Sequence, residues 1–145
     1  MKRGNMKRLG AGPVLLTIAL LVSAGCAQAG GVKMTAPPGG DYKKVSSLVA
    51  LPDFVPGLGI LYVDPKTLPA GPFLAYDRQG NLVSSVYMIP VKDITAHKAF
   101  DNLAAAKEKV DHVDMYYNAG HPGVAEPHYH VVIWYVSPEK AAALK

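Results

Sequence analysis

Apolar residues beyond about position 48 come in short runs broken by Pro, Gly, Asp and Asn, the spacing of strands and turns. Residues 57–63 (GLGILYV) lie between Pro52, Pro56 and Asp64-Pro65 and predict a strand. Residues 73–76 and 82–91 predict two more, flanking Asp77-Arg78-Gln79-Gly80-Asn81. That insert is a hairpin signal, with Gly80 and Asn81 able to take the positive φ of a tight turn. Residues 110–117 and 127–136 predict the last two strands, joined by a Gly/Pro-rich loop.

Between the second and third of these groups the period changes. Ala96, Ala99, Phe100, Leu103 and Ala104 recur at helical spacing behind the candidate caps Asp93 and Thr95, which predicts a helix with a small-residue face that lies on the sheet. A short final helix is expected with Ser137 as N-cap and Pro138 at its first position. The fold expected is α+β: a mainly antiparallel sheet of about five strands, one helix packed on it and a short C-terminal helix, in a single domain over residues 48–145.

The first 47 residues follow other rules. Lys2, Arg3, Lys7 and Arg8 precede an apolar run from Val14 to Val22, too short to cross a bilayer but of signal-peptide length, so residues 1–29 read as a signal peptide. Val22-Ser23-Ala24-Gly25-Cys26 resembles a lipobox, which would make Cys26 a lipid attachment point, while Ala27-Gln28-Ala29 fits cleavage by ordinary signal peptidase. The destination is outside the cytoplasm: periplasmic, or lipid-anchored to the cell envelope. Residues 30–47, with Pro37-Pro38-Gly39-Gly40, read as a flexible tether.

Composition narrows the function classes. Half the residues are hydrophobic and 18% are charged, enough apolar material for a packed core and too much for disorder. The formal charge of +4 sits entirely in the signal peptide, because from Gly30 onward 11 Lys and Arg face 11 Asp and Glu. A near-neutral domain without a basic run argues against nucleic acid as a partner. Cys26 is the only cysteine, so no disulfide can form within the chain and packing or a bound ion must stabilise the domain.

Candidate chemistry concentrates in residues 111–136, DHVDMYYNAGHPGVAEPHYHVVIWYV, which hold four of the five histidines and the only Trp. On a strand alternate side chains share a face, so His112, Asp114 and Tyr116 go together, as do His128, His130, Val132 and Trp134. If the two strands pair with Tyr117 opposite Pro127, Asp114 falls opposite His130 and His112 opposite Val132. Imidazole and carboxylate groups gathered in this way suit zinc or copper. The candidate metal ligands are His112, Asp114, His121, His128 and His130, with Glu126 able to close the site from the loop. His97 lacks a second ligand type one turn away and reads as an ordinary helix histidine.

At these residues the chain resembles a small family of exported bacterial domains of unknown function. DHVDMYY, Gly120-His121-Pro122 and Pro127-His128-Tyr129 carry the resemblance, with Tyr87-Met88-Ile89-Pro90 upstream. It implies a compact α+β domain outside the cytoplasm, oligomerisation, and a link, for one member, to an extracytoplasmic stress sigma factor. The family pattern has Asp and His where this chain has His130 and Val132, so a family site would lose one ligand here and find His130 in its place.

Three readings follow from different classes. One is an exported or membrane-tethered binder of a divalent transition metal, with the metal ion and the membrane at Cys26 as its partners. Another is an envelope-stress assembly module forming a homo-oligomer through an exposed sheet edge or aromatic patch. A small His/carboxylate enzyme comes third, because the chain has no Gly-x-Ser-x-Gly, no phosphate-cradling Gly loop, no His-Glu-x-x-His and no thiol in the domain.

Overall fold

The computed structural model describes residues 34–145, so the expected signal peptide, Cys26 and the first residues of the expected tether lie outside it. Six strands form one antiparallel sheet: β1 (Lys43–Lys44), β2 (Ile60–Val63), β3 (Phe73–Tyr76), β4 (Leu82–Pro90), β5 (His112–Asn118) and β6 (His128–Trp134). Their order across the sheet is β1-β2-β3-β4-β6-β5. Two five-residue helices, α1 (Val91–Thr95) and α2 (Pro138–Ala142), and two 3₁₀ turns at Val45–Ser47 and Pro65–Thr67 complete the regular structure of the described residues. No helix among the described residues is long and apolar enough to cross a membrane.

Burial grades across this order and explains the sequence patterns. β3 is buried at every position and β4 at all but Pro90, the polar Ser84 and Ser85 included, because both faces of the central strands are covered and their sequences show no apolar–polar alternation. β6 alternates buried and half-buried, and β5, the last strand, is largely exposed. Val63, Phe73, Val86, Met88, Val132 and Trp134 build the main core on the inner face, under a cover that includes Leu51, Phe54 and Leu58. Leu74, Tyr76 and Leu82 form a smaller core on the outer face with Tyr62 and Tyr135.

The expected hairpin forms between β3 and β4, with the turn held by Asp77. Its Oδ1 accepts from the backbone N–H of Gln79 at 2.9 Å and of Asn81 at 2.8 Å. Gly80 takes the positive φ of 82°, and Asn81 does not share it: it bridges to Thr35 and donates its side-chain amide to Asp77 instead.

Two expectations are corrected. Residues 34–47 are not a free tether. Leu82 N–H donates to the Met34 carbonyl and Ala36 N–H to the Gly80 carbonyl, both at 2.8 Å, β1 pairs with β2, and the buried Val45 joins the main core. The expected helix through Ala104 also stops short, at Thr95. His97, in the left-handed conformation at φ 55°, closes it with the bonds His97 N–H to Ile94 C=O and Lys98 N–H to Asp93 C=O, both 3.0 Å. This is the Schellman arrangement that ends helices. Ala96, Ala99, Leu103 and Ala104 are exposed, so their helical spacing has no surface to bury against, and a short helix without tertiary support is marginal. The segment is instead pinned to the outer face by side chains: the Tyr87 hydroxyl donates to the Ala104 carbonyl, and Ala106 N–H donates to the Tyr135 hydroxyl at 3.1 Å.

Candidate metal centre

His128 and His130 reach the inner face because a strand puts alternate residues on one side. β6 lies between β4 and β5, with His130 opposite Met88 on one side and Tyr116 on the other, and His128 opposite Pro90 and Asn118. Covered from both flanks, the two imidazoles are 1% and 6% exposed, depths at which polar groups need partners.

His121 comes to them from the loop. His121 and Val124 exchange both backbone hydrogen bonds at 2.9 Å around Pro122-Gly123, a tight turn with Pro in second place and Gly, at φ 88°, in third. Before it, Asn118 Oδ1 accepts from Gly120 N–H at 2.8 Å. Gly120 is required: it sits at φ 122°, and a Cβ there would lie 2.6 Å from the Ala125 carbonyl oxygen. The loop thus folds His121 back over the strands, its ring centroid 5.0 Å from that of His128 and 5.6 Å from that of His130.

Each ring uses Nδ1 for a second partner. His128 Nδ1–H donates to the Glu126 carbonyl at 2.6 Å and His121 Nδ1–H to the Pro122 carbonyl at 3.0 Å. Since a carbonyl only accepts, a neutral ring then keeps its lone pair on Nε2. The Nδ1 of His130 meets the Tyr116 hydroxyl at 3.1 Å, and the Nε2 atoms of His128 and His130 are 3.0 Å apart. Without an ion this last contact is a hydrogen bond from His130 Nε2–H, and Tyr116 donates to Nδ1. If an ion were held there, the His130 proton would sit on Nδ1 and Tyr116 would accept from it. Imidazoles fixed through the nitrogen that faces away from the ion are the usual support of a metal site.

One ligand nitrogen from each of His121, His128 and His130 lies within 4.8 Å of the others, so the three can hold a metal ion. The 3.0 Å separation subtends about 90–100° at an ion roughly 2.0–2.1 Å from both nitrogens, within reach of a distorted tetrahedron. Burial, then the neighbouring His128 and His121, push the His130 pKa down to about 4, which keeps that ring neutral and able to ligate at physiological pH. Burial, then Asp114, raise the Tyr116 hydroxyl above its usual range, so it stays a hydroxyl.

The other expected ligands lie elsewhere. The strands pair two residues away from the expected register, with Asp114 opposite Val132 and His112 opposite Trp134. A shift of two keeps the faces and moves the partners, so His112 and Asp114 share the inner face but sit toward its far end. There His112 stacks on Trp134 at 5.9 Å and 18°, with Nδ1 2.9 Å from Asp111 Oδ1, and Asp114 accepts from Trp134 Nε1–H at 2.8 Å. Glu126 pairs with Lys92 at 2.8 Å on the surface and serves the cluster only through its backbone carbonyl. Tyr116 and Asn118, neither of them an expected ligand, are the ones beside the histidines. Their signal was the inner-face alternation they share with His112, and the Asn-x-Gly spacing ahead of His121.

No family model matches the chain, and no curated protein does. Among solved structures it is similar to a hypothetical protein from Thermus thermophilus, TTHB210, at 48% identity over 66% of this chain and 87% of that one, with a TM-score of 0.58.

Proposed function

The chain belongs to one family with that Thermus thermophilus protein, and on this premise we propose that it is a small binding protein holding one divalent transition-metal ion, zinc or copper, through His121, His128 and His130. The observation that carries the reading is the direction of the rings: three imidazoles anchored through Nδ1 with ligand nitrogens turned inward. Three protein ligands leave a fourth position for an exchangeable group, the arrangement of reactive or transfer sites rather than closed structural ones. The protein works outside the cytoplasm, periplasmic or held to the envelope through a lipid on Cys26; the basic start, the apolar run and the lipobox-like Val22–Cys26 segment support this part.

Elemental analysis of untagged protein tests the metal directly. One equivalent of zinc or copper per chain is expected. Protein that carries none, and that takes up none tightly after dialysis against either ion, sinks the reading.

A second reading has its own observation. Val113, Met115 and Tyr117 are each more than half exposed on the outer side of β5, the last strand of the sheet. An apolar row on an edge strand suits a second copy of the chain, so the protein is also read as a homo-oligomer assembled there. Sedimentation that finds monomer alone at working concentration rules this out.

A further inference from the structure

Beside the histidines lies a cavity of about 290 Å³ whose walls include Leu51, Leu58, Phe73 and Val86. His121, His130, Tyr116 and Asn118 also line it, and none of its lining residues is Lys, Arg, Asp or Glu. His128 is not in its wall and lies buried behind His130. The volume stands at the lower end of the range, roughly 300 Å³ upward, in which small-molecule sites are found, and a mostly apolar wall with a few convergent polar groups is their usual composition.

Charge decides what such a space would take. A divalent ion on three neutral imidazoles keeps its full double positive charge, which is costly in apolar surroundings unless an anion joins it. The nearby carboxylates are engaged elsewhere: Glu126 with Lys92 and Asp114 with Trp134 Nε1, each at 2.8 Å. The anion must therefore come from outside the chain, and the side of the cluster that opens on a cavity opens on hydrocarbon.

We infer that the site takes a small monocarboxylate with an apolar tail, its head on the ion held by His121, His128 and His130 and its tail along the cavity of Leu51, Leu58, Phe73 and Val86. This rests on the metal reading above. The Tyr116 hydroxyl, on the wall beside His130, is placed to hydrogen-bond the head.

The test uses the full chain loaded with Co²⁺, its visible absorption titrated with acetate, butanoate, hexanoate and octanoate, and its metal content measured on the same samples. The spectrum is expected to change with each acid, at concentrations that fall roughly three- to fourfold per added methylene until the cavity is full. Calorimetry on metal-free protein should find no binding over that range. Equal affinities along the series, or equal binding with and without the ion, overturn the inference and leave the metal reading standing, whereas failure to take up any metal overturns both. Leu51→Trp fills the cavity without touching a ligand. It should keep its metal, which also reports that it folds, and lose the chain-length dependence; a metal-loaded Leu51→Trp with the dependence intact would show that the tail does not lie there.

Discussion

The inner face of the β5–β6 pair carries two polar clusters at opposite ends, similar in composition and different in chemistry. At one end His128 and His130 are buried, and with His121 they direct nitrogens at one another while their outer nitrogens are held. At the other end His112 lies between Asp111 and Asp114 and stacks on Trp134, near the strand's start, where Asp111 and Asp114 are exposed. Histidine with carboxylate therefore makes a local hydrogen-bonding and stacking arrangement here, and histidine with histidine makes the candidate site. Like groups of this kind are brought together at depth only when something such as a shared ion or proton offsets their desolvation.

The comparison can be broken in several places. The largest effect belongs to the structural end. Trp134→Ala removes a 4% exposed ring from the main core and leaves Asp114 without its donor, and should cost about 3–5 kcal/mol in denaturant unfolding. At the other end the expected effect is one of pH. His130 is held at about 4 in the folded protein against a reference of 6.5, so below pH 6.5 the unfolded chain binds a proton that the folded one refuses. Metal-free protein should accordingly be stable above pH 6.5 and lose up to about 3 kcal/mol as pH falls toward 4, a slope that His130→Gln should largely remove.

Smaller effects separate the ends by metal. His128→Ala should weaken metal binding by more than about a hundredfold in competition with a chelator, since loss of an outer partner alone costs roughly 10–100-fold, while His112→Ala should leave affinity unchanged. Equal losses in both variants would merge the two clusters into one site. Tyr116→Phe, which keeps the ring and removes the hydroxyl that orients His130, should cost about tenfold in affinity and on the order of 1 kcal/mol in stability. Gly120→Ala acts through the loop alone: its Cβ would lie 2.6 Å from the Ala125 carbonyl oxygen, so the loop backbone must shift, and it is expected to displace His121 and lower metal affinity about tenfold, roughly 1.4 kcal/mol, with the β6 histidines in place.

Legibility in the sequence followed the range of the interactions. The strand at residues 73–76 and the turn at Asp77 to Asn81 were readable because their causes lie within a few residues: apolar runs, punctuation and an Asp side chain that closes its own turn. The helix expected through Ala104 was not, since helical spacing says which residues could share a face and not whether a surface awaits them; at Ala99 and Leu103 none does. The N-terminal residues 34–47 misled for the opposite reason. Their Pro and Gly composition reads as a linker, but Val45 and the β1 backbone find partners far along the chain.

The sequence by itself determined that His128 and His130 share a face, that His112 and Asp114 share one, and that a Gly/Pro loop lies between them, because the two-residue period of a strand and the conformations of Pro and Gly are local properties. The tertiary structure alone decided which of these residues meet. Register depends on the loop geometry and on the summed packing of β4, β5 and β6, and a slide of two residues, invisible to alternation, exchanges Asp114 for Tyr116 beside His130. The return of His121 over the strands was fixed in the same way, by a turn whose direction matters only once the sheet beneath it exists.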